Sequence, residues 1–431
     1  MSAIDALGLA MRNALGGFTV DEVQQNCKGI RIPHFAERWI WDSNVYLSGR
    51  FTMFIGKYGS GKSSYLFQVG RRFMEMGGLF VYLETEQKYT AGFARAHLGK
   101  WADSNQFIGY PVGTMDGEEE KQKGTIKKNK TEEELDAEEL KKIGWLTRIP
   151  QVIKFIKNSE FADVPVCIGV DSLLGAPTKE NLKQFDNTKG EMKAQDTSAL
   201  RRASLMTKWL PVVLAEIADT NICLFGINHA KDVFDMNQGK GRGWTPPPET
   251  RWSGGNVLSM HANAIYEFKR GSKHKESIEE EGRSIYIAPR KASNGYDERR
   301  ISIDFTYSFY RGDDGEIIRD ASGNPIRLIN WNWDRSTMDV LCRYFDPDFE
   351  PDSWRGPAEY RKSMTIHPKR GTYTFAARNP DNPRDILWRK EDLSLQEAAE
   401  FVETPEMEEF FQNFELVHHM VHNEFNYLED E

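Results

Sequence analysis

Residues Phe51-Thr52-Met53-Phe54-Ile55-Gly56-Lys57-Tyr58-Gly59-Ser60-Gly61-Lys62-Ser63-Ser64-Tyr65 decide the fold. An apolar run with the look of a strand enters Gly56-x-x-x-x-Gly61-Lys62-Ser63, and a helical pattern follows through Met74. Strand, glycine-rich turn and helix in that order make a phosphate-binding P-loop. The glycines let the loop curl so that backbone N–H groups from Gly56 to Ser64 point at a phosphate. The N-terminus of the following helix adds a partial positive charge. Lys62 can reach the β- and γ-phosphates, and the Ser63 hydroxyl can join the Mg²⁺ shell.

Working outward, a second strand (residues 79–83) ends in Glu84-Thr85-Glu86, and residues 107–112 form a third short strand. A helix over 149–157 leads into a strand at 164–170 that ends at Asp171-Ser172. A long helix over 199–218 precedes the strand 222–227, which ends in Asn228-His229. Strands alternating with helices predict an α/β fold with a mostly parallel, doubly covered sheet. Ligands bind such sheets at the carboxyl ends of the strands. Glu84, Glu86, Asp171, Asn228 and His229 all fall there. Asp171 suits the second nucleotide motif, a carboxylate that holds the Mg²⁺ shell. Glu86 can polarise an attacking water as general base, or be an ordinary exposed carboxylate.

Between positions 116 and 142, seventeen of 27 residues are charged and none is aromatic, so this is a solvated insertion. Residues 230–256 are rich in glycine and proline and read as a long functional loop. Further strands are expected at 264–268, 284–288 and 300–305. After Tyr310 an aromatic-rich stretch with Trp331, Trp333, Trp354 and Trp388 reads as a smaller C-terminal domain over 311–390.

The chain has 431 residues and a net charge of −9. Positions 391–431 hold thirteen Asp or Glu and no Lys or Arg, so the remainder carries +4. Such a segment is either solvated surface or a competitor of nucleic acid for a basic site. Cys27, Cys167, Cys223 and Cys342 are far apart, without C-x-x-C or zinc spacing. Reduced core cysteines of a cytoplasmic protein are expected, with no signal peptide and no membrane span.

The order of P-loop, Glu-Thr-Glu strand, Asp-Ser strand, Asn-His strand and then Pro248-Glu249-Thr250…Gly254-Gly255-Asn256 resembles the RecA family of recombinases over roughly residues 45–310. Ile227-Asn228-His229 is closer to its phage branch. The resemblance implies a RecA-like ATPase core over 49–310 and an N-terminal segment over 1–48 that contacts a neighbouring subunit. Glu86 falls at the family's catalytic glutamate. His229 falls where bacterial members have a γ-phosphate-sensing glutamine, with Asn228 beside it. Phe93 falls in the segment that packs on adenine. Arg290 and Lys291 fall near cations that reach a neighbour's phosphates. Two loops would hold DNA. The first is 177–197. The second is 230–256, with Lys231, Lys240, Arg242, Arg251, Gly254, Gly255 and Asn256.

The implied function is ATP- and Mg²⁺-dependent filament formation on single-stranded DNA, followed by pairing with a homologous duplex. The implied partners are further copies of the chain and a mediator or single-strand-binding protein, not a membrane. Two rivals share the nucleotide motifs: a ring-forming hexameric helicase motor, and a regulatory protein that binds ATP without processing DNA.

Overall fold

The structure, a computed structural model, describes residues 28–86, 88–111, 144–175, 198–232, 250–252, 256–275, 281–291, 299–311, 315–319, 323, 325–349, 360–412 and 426–427. The charged insertion and the 177–197 loop lie outside them, as do Lys240, Arg242, Gly254 and Gly255.

Strands β1 (Lys28–Arg31) and β2 (Val45–Leu47) form a small antiparallel pair. The main sheet is built from β3 (Phe51–Gly56), β4 (Leu79–Glu84), β5 (Phe107–Pro111), β6 (Val166–Asp171), β7 (Ile222–Asp232), β8 (Thr250–Trp252), β9 (Ala264–Lys275), β10 (Glu281–Lys291), β11 (Ile301–Phe309) and β12 (Arg327–Asn332). Its order is β5-β4-β6-β7-β3-β9-β10-β11-β12, with β8 attached to β7. From β5 to β9 every neighbouring pair is parallel. From β9 to β12 the pairing is antiparallel; the links from β9 to β10 and from β10 to β11 are too short for a crossover. The fold is thus α/β with a large, mostly parallel mixed sheet. A separate three-stranded sheet follows: β13 (Met364–Lys369), β14 (Thr372–Asn379) and β15 (Asn382–Ser394).

Alternation along each parallel strand feeds two apolar cores. Met53, Ile55, Val81, Leu83 and Ile168 face one side, under the helices Trp145–Lys157 and Ser198–Ile217. Phe54, Tyr82, Cys167 and Phe225 face the other, where the P-loop helix Lys62–Glu75 packs. That helix sits close because two glycines make room. A Cβ on Gly70 would stand 2.4 Å from the Phe80 ring, and one on Gly169 of β6 would stand 2.9 Å from Leu66. Cys167 and Cys223 are buried free thiols, as their strand patterns implied, and so is Cys342.

The lead-in to the P-loop packs on its own chain. Every residue of the helix Phe35–Trp41 is buried. Its Glu37, fully buried, accepts from the hydroxyls of Tyr46 and Tyr65 at 2.5 Å each and pairs with the buried Arg72 of the P-loop helix. Trp41 Nε1 donates to Tyr65 Oη at 2.8 Å. The described part of the expected subunit-contact segment is therefore bound within one chain.

The same apolar cluster continues through Trp333 and Phe345 of the helix Trp333–Phe345 to Phe375, Phe401 and Phe411. The acidic segment that begins at Glu391 is folded as far as Gln412, in β15 and the helices Leu395–Val402 and Pro405–Gln412. Its Met407 and Phe411 are buried and hold it to the cluster. Among the described residues no helix is long and apolar enough to cross a membrane.

Candidate functional site

Strand register brings the chemistry together. Gly56 at the end of β3 pairs with His229 on β7, Ile227 on β7 pairs with Asp171 at the end of β6, and Asp171 pairs with Glu84 at the end of β4. β3, β4 and β6 thus end in one row with His229 of β7, at the mouth of a cavity of about 420 Å³. The P-loop from Tyr58 to Ser64 lines it, with Glu86, Asp171 and His229. Phe93 lines it too, from the helix Ala91–Leu98, whose Thr90 cap accepts the Phe93 N–H at 3.1 Å. The Phe93 ring stands edge-on to Phe67 with centroids 5.0 Å apart.

The loop has the backbone that its glycines permit. Gly59 and Gly61 have φ of 71° and 91°. A Cβ at Gly61 would also stand 2.0 Å from Ile285 Cδ1, so two constraints exclude a side chain there. Lys62 folds back into the curl and donates to Gly56 O at 2.9 Å and Lys57 O at 2.8 Å. Burial pulls its ammonium down to about 8, partly offset by Asp171 and Glu86. A phosphate would supply the counter-charge that this buried cation needs.

Ser63 Oγ donates to Asp171 Oδ2 at 2.5 Å, and Tyr82 Oη donates to the same oxygen at 3.2 Å. Burial raises the Asp171 carboxyl, against those hydrogen bonds and Lys62. A hydroxyl and a carboxylate meeting beside a phosphate cradle are hard oxygen donors, and they fit Mg²⁺.

Glu86 is the most heavily bonded carboxylate of the cavity. Its Oε1 receives Ser172 Oγ–H at 2.6 Å and lies 2.5 Å from His229 Nε2. Its Oε2 pairs with Lys88. The His229 bond first, then Lys88 and Ser172, hold it well below the usual carboxylate range despite partial burial. It is held ionised, as a base must be.

Other expected residues stand elsewhere. Asn228 is buried, accepts the His229 N–H at 2.9 Å and does not line the cavity. Arg290 and Lys291 lie at the far end of β10, level with the start of β3. Arg290 pairs with the buried Glu267. Lys291 donates to Ser259 O at 2.9 Å and Ala262 O at 2.6 Å at the end of the helix Asn256–His261. Neither cation reaches the cavity of its own chain.

The 230–256 stretch is less loop-like than expected. β7 runs on past His229 to Asp232, and β8 folds back on it with Lys231 opposite Arg251. Asn256 is exposed and starts a helix. Glycine and proline content hid the strand, because Ala230 to Asp232 owe their conformation to the partner strand and not to intrinsic propensity.

Sequence reasoning missed Lys88, Tyr82, Arg283 and Tyr307, which also line the cavity. Tyr82 was legible, since it alternates with Leu83 on β4 toward the P-loop helix. Arg283 and Tyr307 arrive from the antiparallel half of the sheet, which no local pattern places there. No protein-family model and no curated protein sequence matches the chain.

Proposed function

We propose that the chain is a RecA-like, DNA-dependent ATPase that assembles on single-stranded DNA and promotes homologous pairing. One observation carries the reading. The strand that brings His229 to Glu86 continues two residues further to Lys231, opposite Arg251. The nucleotide end and the candidate DNA hairpin thus share one rigid element. The strand order adds support, since β7 separates the P-loop strand from the Asp171 strand.

In this reading the P-loop N–H groups and Lys62 would hold the triphosphate of ATP, and Ser63 and Asp171 would hold Mg²⁺, which would supply charge neutralisation for the phosphates. Glu86 takes the proton of the attacking water, oriented by Ser172 and His229. His229 changes its contact with Glu86 when the terminal phosphate is lost, and β7 carries that change to Lys231 and Arg251. Hydrolysis then weakens DNA binding through a coupling between two sites.

The test is phosphate release with and without single-stranded DNA, together with electron microscopy in an ATP analogue. DNA-stimulated hydrolysis and open filaments support the reading. Closed rings that unwind duplex DNA would replace it with a helicase motor. Hydrolysis indifferent to DNA would remove the recombinase reading. Lys231→Ala/Arg251→Ala should weaken DNA binding and flatten its salt dependence, leaving ATP affinity without DNA unchanged.

A further inference from the structure

Lys88 has no part in the motifs, yet it stands where the two halves of the nucleotide cavity meet. Its ammonium pairs with Glu86 Oε2 and lies 4.9 Å from the centroid of the Tyr58 ring, on the outer lip of the P-loop. Tyr58 is 78% exposed, which is unusual for a large ring that lines a cavity. The Lys88 N–H is fixed by Glu84 Oε1 at 2.9 Å, so the backbone is anchored, while the side chain is 54% exposed. Its charge is felt inside the site: Lys88 is among the groups that disfavour the ammonium of Lys62. Lys62, Lys88 and Arg283 thus share one cavity, with Lys62 at the floor of the P-loop and Lys88 at its lip.

The contacts of Glu86 divide between its oxygens. Ser172 and His229 use Oε1, and Lys88 covers Oε2. A carboxylate so covered cannot take a proton from water through Oε2. The pair is open to solvent on the Lys88 side, and if Lys88 leaves, Glu86 keeps Ser172 and His229 on Oε1, so its charge is not stranded. A terminal phosphate brings two charges and several acceptor oxygens, and is the stronger partner.

We infer that Lys88 senses the terminal phosphate: resting on Glu86 it covers the base, and a nucleoside triphosphate, but not a diphosphate, draws it away and opens Oε2. This rests on the nucleotide reading above and adds a control to the same site. Tyr58 is the platform that keeps the ammonium at the lip as it moves.

The experiment measures the affinity of Mg²⁺–ADP and of a Mg²⁺-bound non-hydrolysable ATP analogue by calorimetry. The proteins are the wild type, Lys88→Ala, Lys88→Arg and Lys62→Ala, each checked by thermal melting. Lys88→Ala should bind the analogue about tenfold more weakly and ADP as the wild type does, since one charge-assisted contact is lost with the triphosphate alone. Lys88→Arg should retain most of the preference. Equal losses for both nucleotides, or no loss for either, would overturn the sensor while leaving the site intact. A wild type that binds neither, or a Lys62→Ala variant that binds both unchanged, would overturn the nucleotide reading and the sensor with it.

Discussion

Arg38 donates Nη2 to Glu403 Oε2 at 2.6 Å, across 365 positions of sequence. The other oxygen of Glu403 accepts the Phe35 N–H at 2.6 Å. One carboxylate of the acidic segment thus clamps the start of the first described helix. Glu403→Ala leaves Arg38, 4% exposed, without its partner. The expected loss is about 1–3 kcal/mol, measured by urea unfolding. No loss would mean that Arg38 is held by Ile32 O and Pro33 O alone, its other acceptors at 3.1 and 3.0 Å.

The clamp separates two parts of the acidic segment. Residues 413–431 carry Glu415, Glu424, Glu429, Asp430 and Glu431 and no Lys or Arg. A chain ending at Gln412 keeps both helices and the buried Met407 and Phe411; it loses Asn426–Tyr427, which pair with Lys28 and Gly29 of β1, and should stay folded on the remaining core. If the removed charges compete with DNA, single-stranded DNA will bind it more tightly at low salt. The gain should fade as the Debye length falls to about 10 Å. Equal affinity at low salt would leave these residues as solvated surface.

Glu37→Gln should destabilise the protein by about 3–5 kcal/mol, because Arg72 then stays buried without a counter-ion. Glu37→Leu/Arg72→Met should recover most of that loss, since two apolar groups need no partner. A double variant as unstable as the single would assign the effect to the Tyr46 and Tyr65 hydroxyls.

His34 lies 5.3 Å from Trp333, ring on ring at 10°. Burial, then Arg72 and Arg38, lowers it from 6.5 to about 3. The unfolded chain binds the proton first, so this stability is complete above pH 6.5 and is lost as pH falls from 6.5 toward 3. His34→Phe keeps a ring on Trp333 and cannot titrate. Its melting temperature should fall less between pH 7 and 5 than that of the wild type. Parallel curves would place the pH dependence on other groups.

Lys62→Ala should abolish hydrolysis, and Glu86→Gln should slow it by roughly 10²-fold or more while ATP still binds. Single-turnover phosphate release measures both. Unchanged turnover in Glu86→Gln would take that residue out of the mechanism.

The row was legible because Gly56 opens the P-loop motif and Glu86, Asp171 and His229 are polar residues just past the close of apolar runs. Gly56, Glu86, Asp171 and His229 needed only the α/β rule to be placed side by side. Lys88 and the Glu37–Arg72 pair were not legible. A lysine two residues past a glutamate reads as solvated surface, and the partner of a buried glutamate is set by packing between distant segments. The burial of Cys167 and Cys223 was readable from the strand patterns, whereas Cys342 is buried in a helix. The strands at 264–268, 284–288 and 300–305 were legible as well, but their antiparallel pairing, β12 and the extension of β7 were not, since pairing imposed by a neighbour leaves little trace in local composition.

The position of β3 has a consequence for how the chain is made. Its neighbours are β7 and β9, which follow it by about 170 and 210 residues. While the ribosome extends the chain, the P-loop strand emerges with neither edge paired, carrying Phe51, Met53, Phe54 and Ile55 in the open. Contacts of such long range close slowly, and unpaired apolar edges are what holding chaperones bind. The P-loop strand is thus made well before either of the strands that complete its place in the sheet.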